Sequence, residues 1–245
     1  MQRQNPNLPF LVTLFFFAWV NAIYSQSPQE NPTQKAYQHA AALYHQSMQK
    51  QALLYSGSEY IPQTNNLRGS PYYRDWVNEN GSITFDSISF SDVLMRYNIV
   101  KDELIVERVN HYGYSELVQL NKAKVNAFRI QNDVFIHYPA ERWENLKGGF
   151  YQPLYQGQVL LLKKIMKQTQ QEFDKDKVTT YFKEKEQYFL IKSREAYLIK
   201  NKGSLLKLFP DEKKDMNKFA KTEGLRFKRN KEETIIKLLQ WYEHN

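Results

Sequence analysis

The chain has 245 residues, 34 Lys and Arg against 26 Asp and Glu, and no cysteine. This length allows one globular domain, or one domain with a small appendage. The absence of cysteine excludes a disulfide framework, a Cys-ligated zinc site, an iron–sulfur cluster and a thiol nucleophile. With 42% hydrophobic and 15% aromatic residues, the chain can bury a sizeable core and lacks the composition of a disordered protein.

Residues 1–22 have the pattern of a cleaved signal peptide. Arg3 precedes an apolar run from Leu8 to Val20, and Val20-Asn21-Ala22 fits a cleavage site after Ala22. The thirteen residues of that run are too few to cross a bilayer, which a helix spans with about 20. No cysteine follows the run and no later apolar run is long enough to span. We therefore expect an exported protein, periplasmic or extracellular, that is neither a lipoprotein nor a transmembrane protein once mature.

The mature chain begins with a predicted flexible arm over residues 23–33, followed by a predicted helix over residues 34–54. Four side chains recur at helical spacing and would form the apolar face of this helix: Tyr37, Ala41, Tyr44 and Met48. Residues 55–81 are rich in Gly and Pro and predict a loop. Because this loop also carries several aromatic side chains, we expect it to pack against the body of the protein.

From residue 82 to residue 200 the apolar period is two, which is typical of β-strands. Tight turns separate about eight to ten predicted strands, so they should form an antiparallel meander, as a curved sheet or a partial barrel. No strand–helix–strand pattern appears, which excludes a parallel α/β sheet. The charged segment Gln170–Gln187 predicts a surface excursion or a short helix.

The tail predicts further helices. Pro210 and Asp211 open a helix that runs through Lys221, with Gly224 as its stop. Asn230, with Glu233 three residues on, resembles a capping box that starts a final helix. The fold class is therefore α+β, with an N-terminal helix and C-terminal helices packed on the meander. A helix-plus-meander domain would occupy residues 34–202, with a basic helical segment over 203–245 packed on it.

Positive charge is concentrated in the second half of the chain. Residues 23–140 carry 10 basic and 11 acidic side chains, whereas residues 141–245 carry 23 basic and 15 acidic ones. Three lysines of this half, Lys163, Lys164 and Lys167, fall at the end of one predicted strand. The candidate residues for binding an anionic partner lie in the helical tail: Lys213, Lys214, Lys218, Lys221, Arg226, Lys228 and Arg229.

A positive field of this kind attracts phosphate, anionic lipid headgroups and acidic glycans. The partner we expect is an acidic envelope protein, a glycan or an anionic lipid surface. Nucleic-acid readers combine basic groups with stacking aromatics, and Phe219, Phe227 and Trp241 could supply these. Because an exported chain seldom meets nucleic acid, we do not expect it as the partner.

Two other functions stay open. A curved sheet that is only partly covered by helices would leave a cavity for a lipid-like ligand. The residues expected to line it are Phe85, Met95, Phe128 and Tyr151.

The other open function is a glycan-acting hydrolase, which needs two carboxylates in one cleft. One cluster combines acids with the aromatic rings that bind sugars, and its residues are Tyr72, Tyr73, Asp75 and Trp76. We assign no catalytic role within it, because the sequence identifies no carboxylate pair.

The sequence predicts no metal site and no cofactor. None of the five histidines is spaced i, i+4 from another, and the chain has neither an HExxH motif nor an Asp-rich calcium loop. His111 and His137 both lie in the strand region and could converge in the fold. Glycine-rich nucleotide motifs are absent as well.

Four stretches carry a family resemblance. They read LLYSGSEYI at 53–61, GSPYYRDWVNENGSITFDSISFSDVLMRYNIVKDELIVE at 69–107, GGFYQPLYQGQVLLLKK at 148–164, and the tail from 204 to 245. Together they resemble a family of exported, β-rich envelope proteins of Gram-negative bacteria, over most of the mature chain. No activity or catalytic residue is established for that family, so the resemblance implies export and a β-rich body and transfers no site. The interpretation that combines these points is an exported, non-enzymatic binding protein of the cell envelope.

Overall fold

The computed structural model describes residues 32–62, 67–74, 79–110, 112–174 and 177–245. The chain divides into two compact units, Met1–Gln51 and Ala52–Asn245. The predicted signal peptide and nearly all of the predicted arm lie outside the described residues.

The first described element is helix α1, Pro32–Leu54, which confirms the predicted N-terminal helix. Its predicted apolar face is exposed, with Tyr37 at 75%, Tyr44 at 62% and Met48 at 48%. The last residues of the helix belong to the second unit, and Leu54 is buried in a hydrophobic cluster of that unit.

The second unit is built on eleven strands within the described residues. They are β1 Ser58–Glu59, β2 Glu79–Phe85, β3 Ile88–Asn98, β4 Glu103–Val109, β5 Ser115–Gln119, β6 Val125–Ile130, β7 Asp133–Tyr138, β8 Gly149–Gln156, β9 Leu160–Asp174, β10 Lys177–Lys192 and β11 Glu195–Leu198. All neighbouring pairs are antiparallel. The alternating pattern therefore predicted the meander correctly.

Across the sheet the strands follow the order β1, β5, β4, β3, β2, β6, β7, β8, β9, β10, β11. The sheet is open and is not strongly curled. Closing it would require β1 to pair with β11, whereas β1 pairs with β5 and β11 pairs with β10. The partial barrel that we considered from the sequence does not form.

The segment Gln170–Gln187 corrects a prediction. It is neither a helix nor an irregular excursion, because it forms the outer half of the β9–β10 hairpin. The hairpin pairs continuously from Asp174 opposite Lys177 to Leu160 opposite Ile191. None of the described side chains of Gln170–Gln187 is buried, and the apolar residues Phe173 and Val178 are exposed among polar ones. The segment therefore shows no buried–exposed alternation, and the backbone ladder holds the two strands together.

Hydrophobic side chains pack on both faces of the sheet. Most of the largest cluster comes from β2 to β8, including Tyr97, Phe128, Phe135 and Phe150, and Leu54 and Ile165 complete it. A second cluster joins β9 and β10 to the C-terminal helices α2 Lys202–Leu206, α3 Lys213–Thr222 and α4 Lys231–His244. Leu161 and Leu190 from the sheet meet Ile235 and Leu238 from α4 there, so the C-terminal helices pack on the sheet as predicted.

The helix ends were predicted in part. Gly224 follows α3 with φ +61°, and the Leu225 N–H donates to the Ala220 carbonyl at 2.8 Å, which is a Schellman stop at the predicted residue. The final helix begins directly after Asn230, as predicted, but the Asn230 side chain makes no capping hydrogen bond, so the capping box itself does not form. The capping box of this tail lies at Asn201, whose side chain accepts from the Ser204 N–H at 2.9 Å.

Candidate functional site

The basic surface comprises the exposed side chains Lys213, Lys214, Lys218, Lys221, Arg226, Lys228 and Arg229. It is formed by α3 and by the loop that joins α3 to α4. Between Lys213 and Lys231 the sequence holds eight basic residues and two acidic ones, Asp215 and Glu223. This stretch is therefore the most positive part of the tail.

Helix α3 separates its apolar and basic residues onto opposite faces. Met216 and Ala220 are buried against α4 and the sheet. Lys214, Lys218 and Lys221 follow the spacing i, i+4, i+7 and are exposed, which places them along one face of the helix. At a rise of 1.5 Å per residue, the three lysines span about 10 Å along the helix.

In the α3–α4 loop, apolar residues that face the core alternate with basic residues that face solvent. Leu225 and Phe227 are partly buried in the helical cluster, whereas Arg226 and Lys228 point to solvent. The Arg226 carbonyl accepts from the N–H groups of Arg229 and Asn230 at 2.9 and 3.0 Å. The loop is thus a folded turn with three outward cations.

Among the described residues, no ion pair joins any cation of the basic surface to a carboxylate. The ion pairs nearby use other lysines. Lys237 pairs with Glu233 at 2.8 Å, and Lys163 pairs with Glu232 at 2.7 Å. Within the described residues the basic surface therefore keeps its charge available to a partner, whereas Lys163 and Lys237 are each paired with a glutamate of α4.

A shallow cleft of about 390 Å³ lies beside the basic surface. Arg226, Arg229 and Lys237 line it together with Glu223 and Glu233. Its rim thus mixes both signs of charge. A small anionic group entering the cleft would meet two arginines, whose guanidinium groups suit carboxylate and phosphate oxygens.

The aromatic residues of the tail do not form an exposed stacking platform. Phe219 and Trp241 stack on each other with ring centroids 5.8 Å apart, and both are partly buried in the helical cluster. Phe227 lies under the Lys231 ammonium, 5.8 Å from the ring centroid. These rings hold the helices together, which leaves the basic surface with charge as its principal chemistry.

The three strand lysines that we grouped with the basic region behave differently from the helical ones. Lys163 bridges β9 to α4 through Glu232. The Lys164 side chain is 12% exposed and pairs with Asp102. Lys167 is buried, and its ammonium donates to the carbonyls of Ser70 and Tyr72 at 3.1 and 2.7 Å. All three serve the fold, so they do not extend the basic surface.

The pair between Asp102 and Lys164 belongs to a partly buried polar cluster of Tyr97, Asp102, Lys122 and Lys164, here named the Asp102 cluster. Asp102 lies in the β3–β4 turn with φ +61°. Its carboxylate accepts from Lys164 at 2.5 Å, from Tyr97 at 2.5 Å and from Lys122 at 3.0 Å. The cluster joins residues up to 62 positions apart, so no local sequence pattern reveals it.

Gly149 makes room for the Asp102 cluster. Its φ is +150°, and a Cβ atom there would lie 2.2 Å from Asp102 Oδ2 and 2.9 Å from the Lys164 ammonium. The Lys164 ammonium also donates to the Phe150 carbonyl at 2.9 Å. Only glycine allows β8 to approach the ion pair this closely.

The electrostatics of the Asp102 cluster are those of a structural ion pair. Burial alone would raise the pKa of Asp102, but Lys164, the Tyr97 hydroxyl and Lys122 together hold it below its usual 3.8. Burial, and then the nearby Lys122 charge, lower the pKa of His137 below 6.5. The carboxylate is therefore charged and the imidazole neutral at pH 7. The Asp102 carboxylate is engaged by three donors of the fold itself, which favours a structural role.

The residues expected to line an apolar cavity are packed against other side chains. Phe85, Met95 and Phe128 are buried in the largest cluster, while Tyr151 lies in a different one. The Phe128 ring centroid lies 4.8 to 5.1 Å from those of three neighbouring aromatic rings. Side chains fill this part of the core, which weighs against a ligand carrier.

The expected glycan cluster is only partly described. Asp75 and Trp76 lie outside the described residues. Tyr72 is buried and its hydroxyl donates to Tyr60 at 3.1 Å. The Tyr73 hydroxyl donates to Asp133 at 2.7 Å, and burial raises the pKa of the Tyr73 hydroxyl to about 12. Both hydroxyls are thus committed to contacts within the fold.

One further cleft was not anticipated from the sequence. It has a volume of about 510 Å³ and lies among β7, the β8–β9 turn and the β10–β11 turn. The Arg142 guanidinium stacks on Trp143 at 4.8 Å and on Tyr138 at 5.4 Å, and His137 also lines the cleft. His111 lies outside the described residues, so its convergence with His137 stays a prediction.

No protein-family model, curated protein or solved structure matches this chain. Among the described helices, none combines the length and the apolarity that crossing a membrane requires. Within the same residues, no three His, Asp or Glu side chains are grouped so that they could hold a metal ion.

Proposed function

We propose that the protein is a non-enzymatic interaction protein that engages an acidic partner or surface through the basic surface. The observation that carries this proposal is that seven exposed cations have no intramolecular counter-ion among the described residues. Elsewhere in the second unit, several lysines and arginines are paired with carboxylates. An unpaired cluster of one sign attracts the opposite charge over about 10 Å at 0.1 M salt.

The basic surface is also supported rigidly. Helix α3 is fixed by Met216 and Ala220, and its end is closed by the Schellman stop at Gly224. The loop that follows is held by Leu225 and Phe227. A partner would therefore meet cations on an ordered backbone and would only have to order their side chains.

The test uses two polyanionic probes, phosphatidylglycerol vesicles and soluble polyglutamate, with phosphatidylcholine vesicles as the neutral control. We expect binding to at least one polyanion at about 0.05 M salt, weakened at least tenfold at about 0.5 M, because salt screens exposed charges. Each lysine near an anionic surface contributes about 1 kcal/mol. The triple change Lys214→Gln, Lys218→Gln and Lys221→Gln should thus weaken binding about 100-fold at low salt.

A matched control removes the same charge elsewhere. Lys147, Lys183 and Lys185 are also exposed and lie outside the C-terminal helices, so changing all three to Gln should reduce binding by less than threefold. Equal losses for the two triple variants would mean that net charge alone causes binding. Failure of the unmodified chain to bind either polyanion at low salt would refute the proposed function.

A further inference from the structure

The outer half of the β9–β10 hairpin leaves the sheet as a two-stranded ribbon. Strand β8 pairs with β9 only as far as Lys163, and β11 pairs with β10 only from Phe189 to Lys192. The hairpin itself continues to Asp174 opposite Lys177 without a change of register. The ribbon therefore has two edges of its own.

Hydrogen bonds identify which backbone groups face outward on β9. The Lys167 N–H donates to the Ile99 carbonyl at 3.1 Å, so the backbone N–H and C=O groups of Lys167 point away from β10. Because backbone groups alternate in direction along a strand, those of Thr169, Gln171 and Phe173 point the same way. On the opposite edge, the Arg68 N–H donates to the Thr180 carbonyl, and the Arg68 carbonyl accepts from the Phe182 N–H. The backbone groups of Phe182 therefore point away from β9. Because Phe182 lies opposite Thr169, the backbone groups of Thr169 must in turn point away from β10.

Among the residues that the structure describes, no strand lies beside the outward groups of β9 beyond Lys167. Within the described part of the chain, Gln168–Phe173 pair with β10 alone, and all six residues are exposed. At the end of the ribbon Phe173 is 73% exposed and Val178, directly opposite, is 56% exposed. The ribbon thus combines an open ladder edge with an exposed apolar pair.

The two edges of the ribbon differ in how far they are already covered. On β10 the residues opposite Gln168–Phe173 are Val178–Lys183, and the Arg68 backbone already bonds the Thr180 carbonyl and the Phe182 N–H in the middle of that edge, which blocks strand addition there. On β9 the residues Gln168 to Phe173 contain one charge, Glu172, and no Lys or Pro. The β9 edge also has no bulge against β10. It therefore lacks the usual protection and is the edge suited to receive another strand.

We propose that this edge pairs with the same edge of a second copy of the chain, antiparallel, about a twofold axis at Gln171. In this register Gln171 lies opposite Gln171 of the second copy, and Thr169 lies opposite Phe173. These are outward-facing residues, so each pair exchanges two backbone hydrogen bonds, about six in total. Every outward N–H and C=O group from Thr169 to Phe173 gains a partner.

The side chains are self-complementary in the same register. Glu172 lies opposite the neutral Gln170 of the second copy, so the axis brings no like charges into direct opposition. On the face that bears Phe173, one row of side chains crosses β10 and β9 of each copy. In order, this row is Val178 and Phe173 of one copy, then Thr169 and Phe182 of the second copy. The second copy thereby covers part of the exposed apolar pair, which a charged partner strand would not do.

The test is sedimentation of the purified chain from about 1 µM to about 500 µM. We expect a concentration-dependent monomer–dimer equilibrium. Gln171→Lys sets two ammonium groups opposite each other at the axis and should weaken the dimer at least tenfold. Gln170→Lys, a change of the same kind at the adjacent exposed residue, faces Glu172 and should leave the dimer unchanged or stronger.

Because the natural chain has no cysteine, single cysteines report the register. In the proposed dimer the two Gln171 Cα atoms lie about 5.5 Å apart, within the range that a disulfide spans, whereas the two Gln168 Cα atoms lie about 20 Å apart. Gln171→Cys should therefore form a disulfide-linked dimer on mild oxidation and Gln168→Cys should not. A monomer at every concentration, equal effects of the two lysine variants, or equal cross-linking of the two cysteine variants would each overturn the proposal.

Discussion

The Asp102 cluster allows a quantitative test of what holds the second unit together. Asp102→Asn keeps the shape and the positive φ of the turn, which Asn tolerates, but it removes the countercharge of Lys164. The Asn amide oxygen can still accept from the Lys164 ammonium, as does the Phe150 carbonyl at 2.9 Å, but among the described residues no carboxylate then balances its charge. Leaving one partner of a buried ion pair uncompensated costs about 3–5 kcal/mol. Since 18% of Asp102 and 12% of Lys164 remain exposed, we expect a loss of about 2–3 kcal/mol.

The assay is urea unfolding of the natural chain and of each variant, followed by circular dichroism. Asp86→Asn is the matched control, because Asp86 also has a positive φ, in the β2–β3 turn, and pairs with Lys124 at 3.8 Å on the surface. A surface pair of this kind contributes little, so Asp86→Asn should change stability by less than about 0.5 kcal/mol.

The pH dependence gives the sign of the effect. The pKa of Asp102 is lowered in the folded protein below its usual 3.8, so the stability it contributes is present above that value and is lost as the pH falls through the folded-state pKa. The difference between the natural chain and Asp102→Asn should be fully present at pH 7 and should shrink below about pH 4.

A double-mutant cycle tests the cause. Lys164→Met removes the stranded ammonium, so Asp102→Asn should cost less in that background than in the natural chain. A loss below about 1 kcal/mol for Asp102→Asn, or full additivity with Lys164→Met, would refute the reasoning that an uncompensated buried charge governs stability here.

Two other predictions concern the ends of the chain. Asn201→Ala should lower the free energy of unfolding by about 1 kcal/mol, because Asn201 caps α2. Asn230→Ala should lower it by only a few tenths of a kcal/mol, because the Asn230 side chain makes no capping hydrogen bond. Urea unfolding compares the two variants, and equal losses would contradict the assignment of the cap to Asn201. When the chain is expressed in an exporting bacterial host, the intact mass of the recovered protein should correspond to a start at Ile23; recovery of the chain with residues 1–22 attached would contradict the predicted signal peptide.

The strand region illustrates how much of the fold could be read from local patterns. The alternation from Ile83 to Ile99 predicted β2 and β3, because one face of each strand had to be apolar to join the core. The same argument failed for Gln170–Gln187. The outer ribbon buries neither face fully, so its side chains follow no period, and the pairing of β9 with β10 became visible only in the structure.

The candidate site shows the same division. The sequence alone determined that the tail is basic, that α3 stops at Gly224 and that its lysines repeat along one face, since these properties depend on residues within a few turns of one another. Only the tertiary structure decided which cations stay available. Lys164 meets a carboxylate 62 residues away, while Lys218 meets none among the described residues. Charge is a property of each residue, but its neutralisation depends on neighbours that the fold brings together from distant parts of the chain.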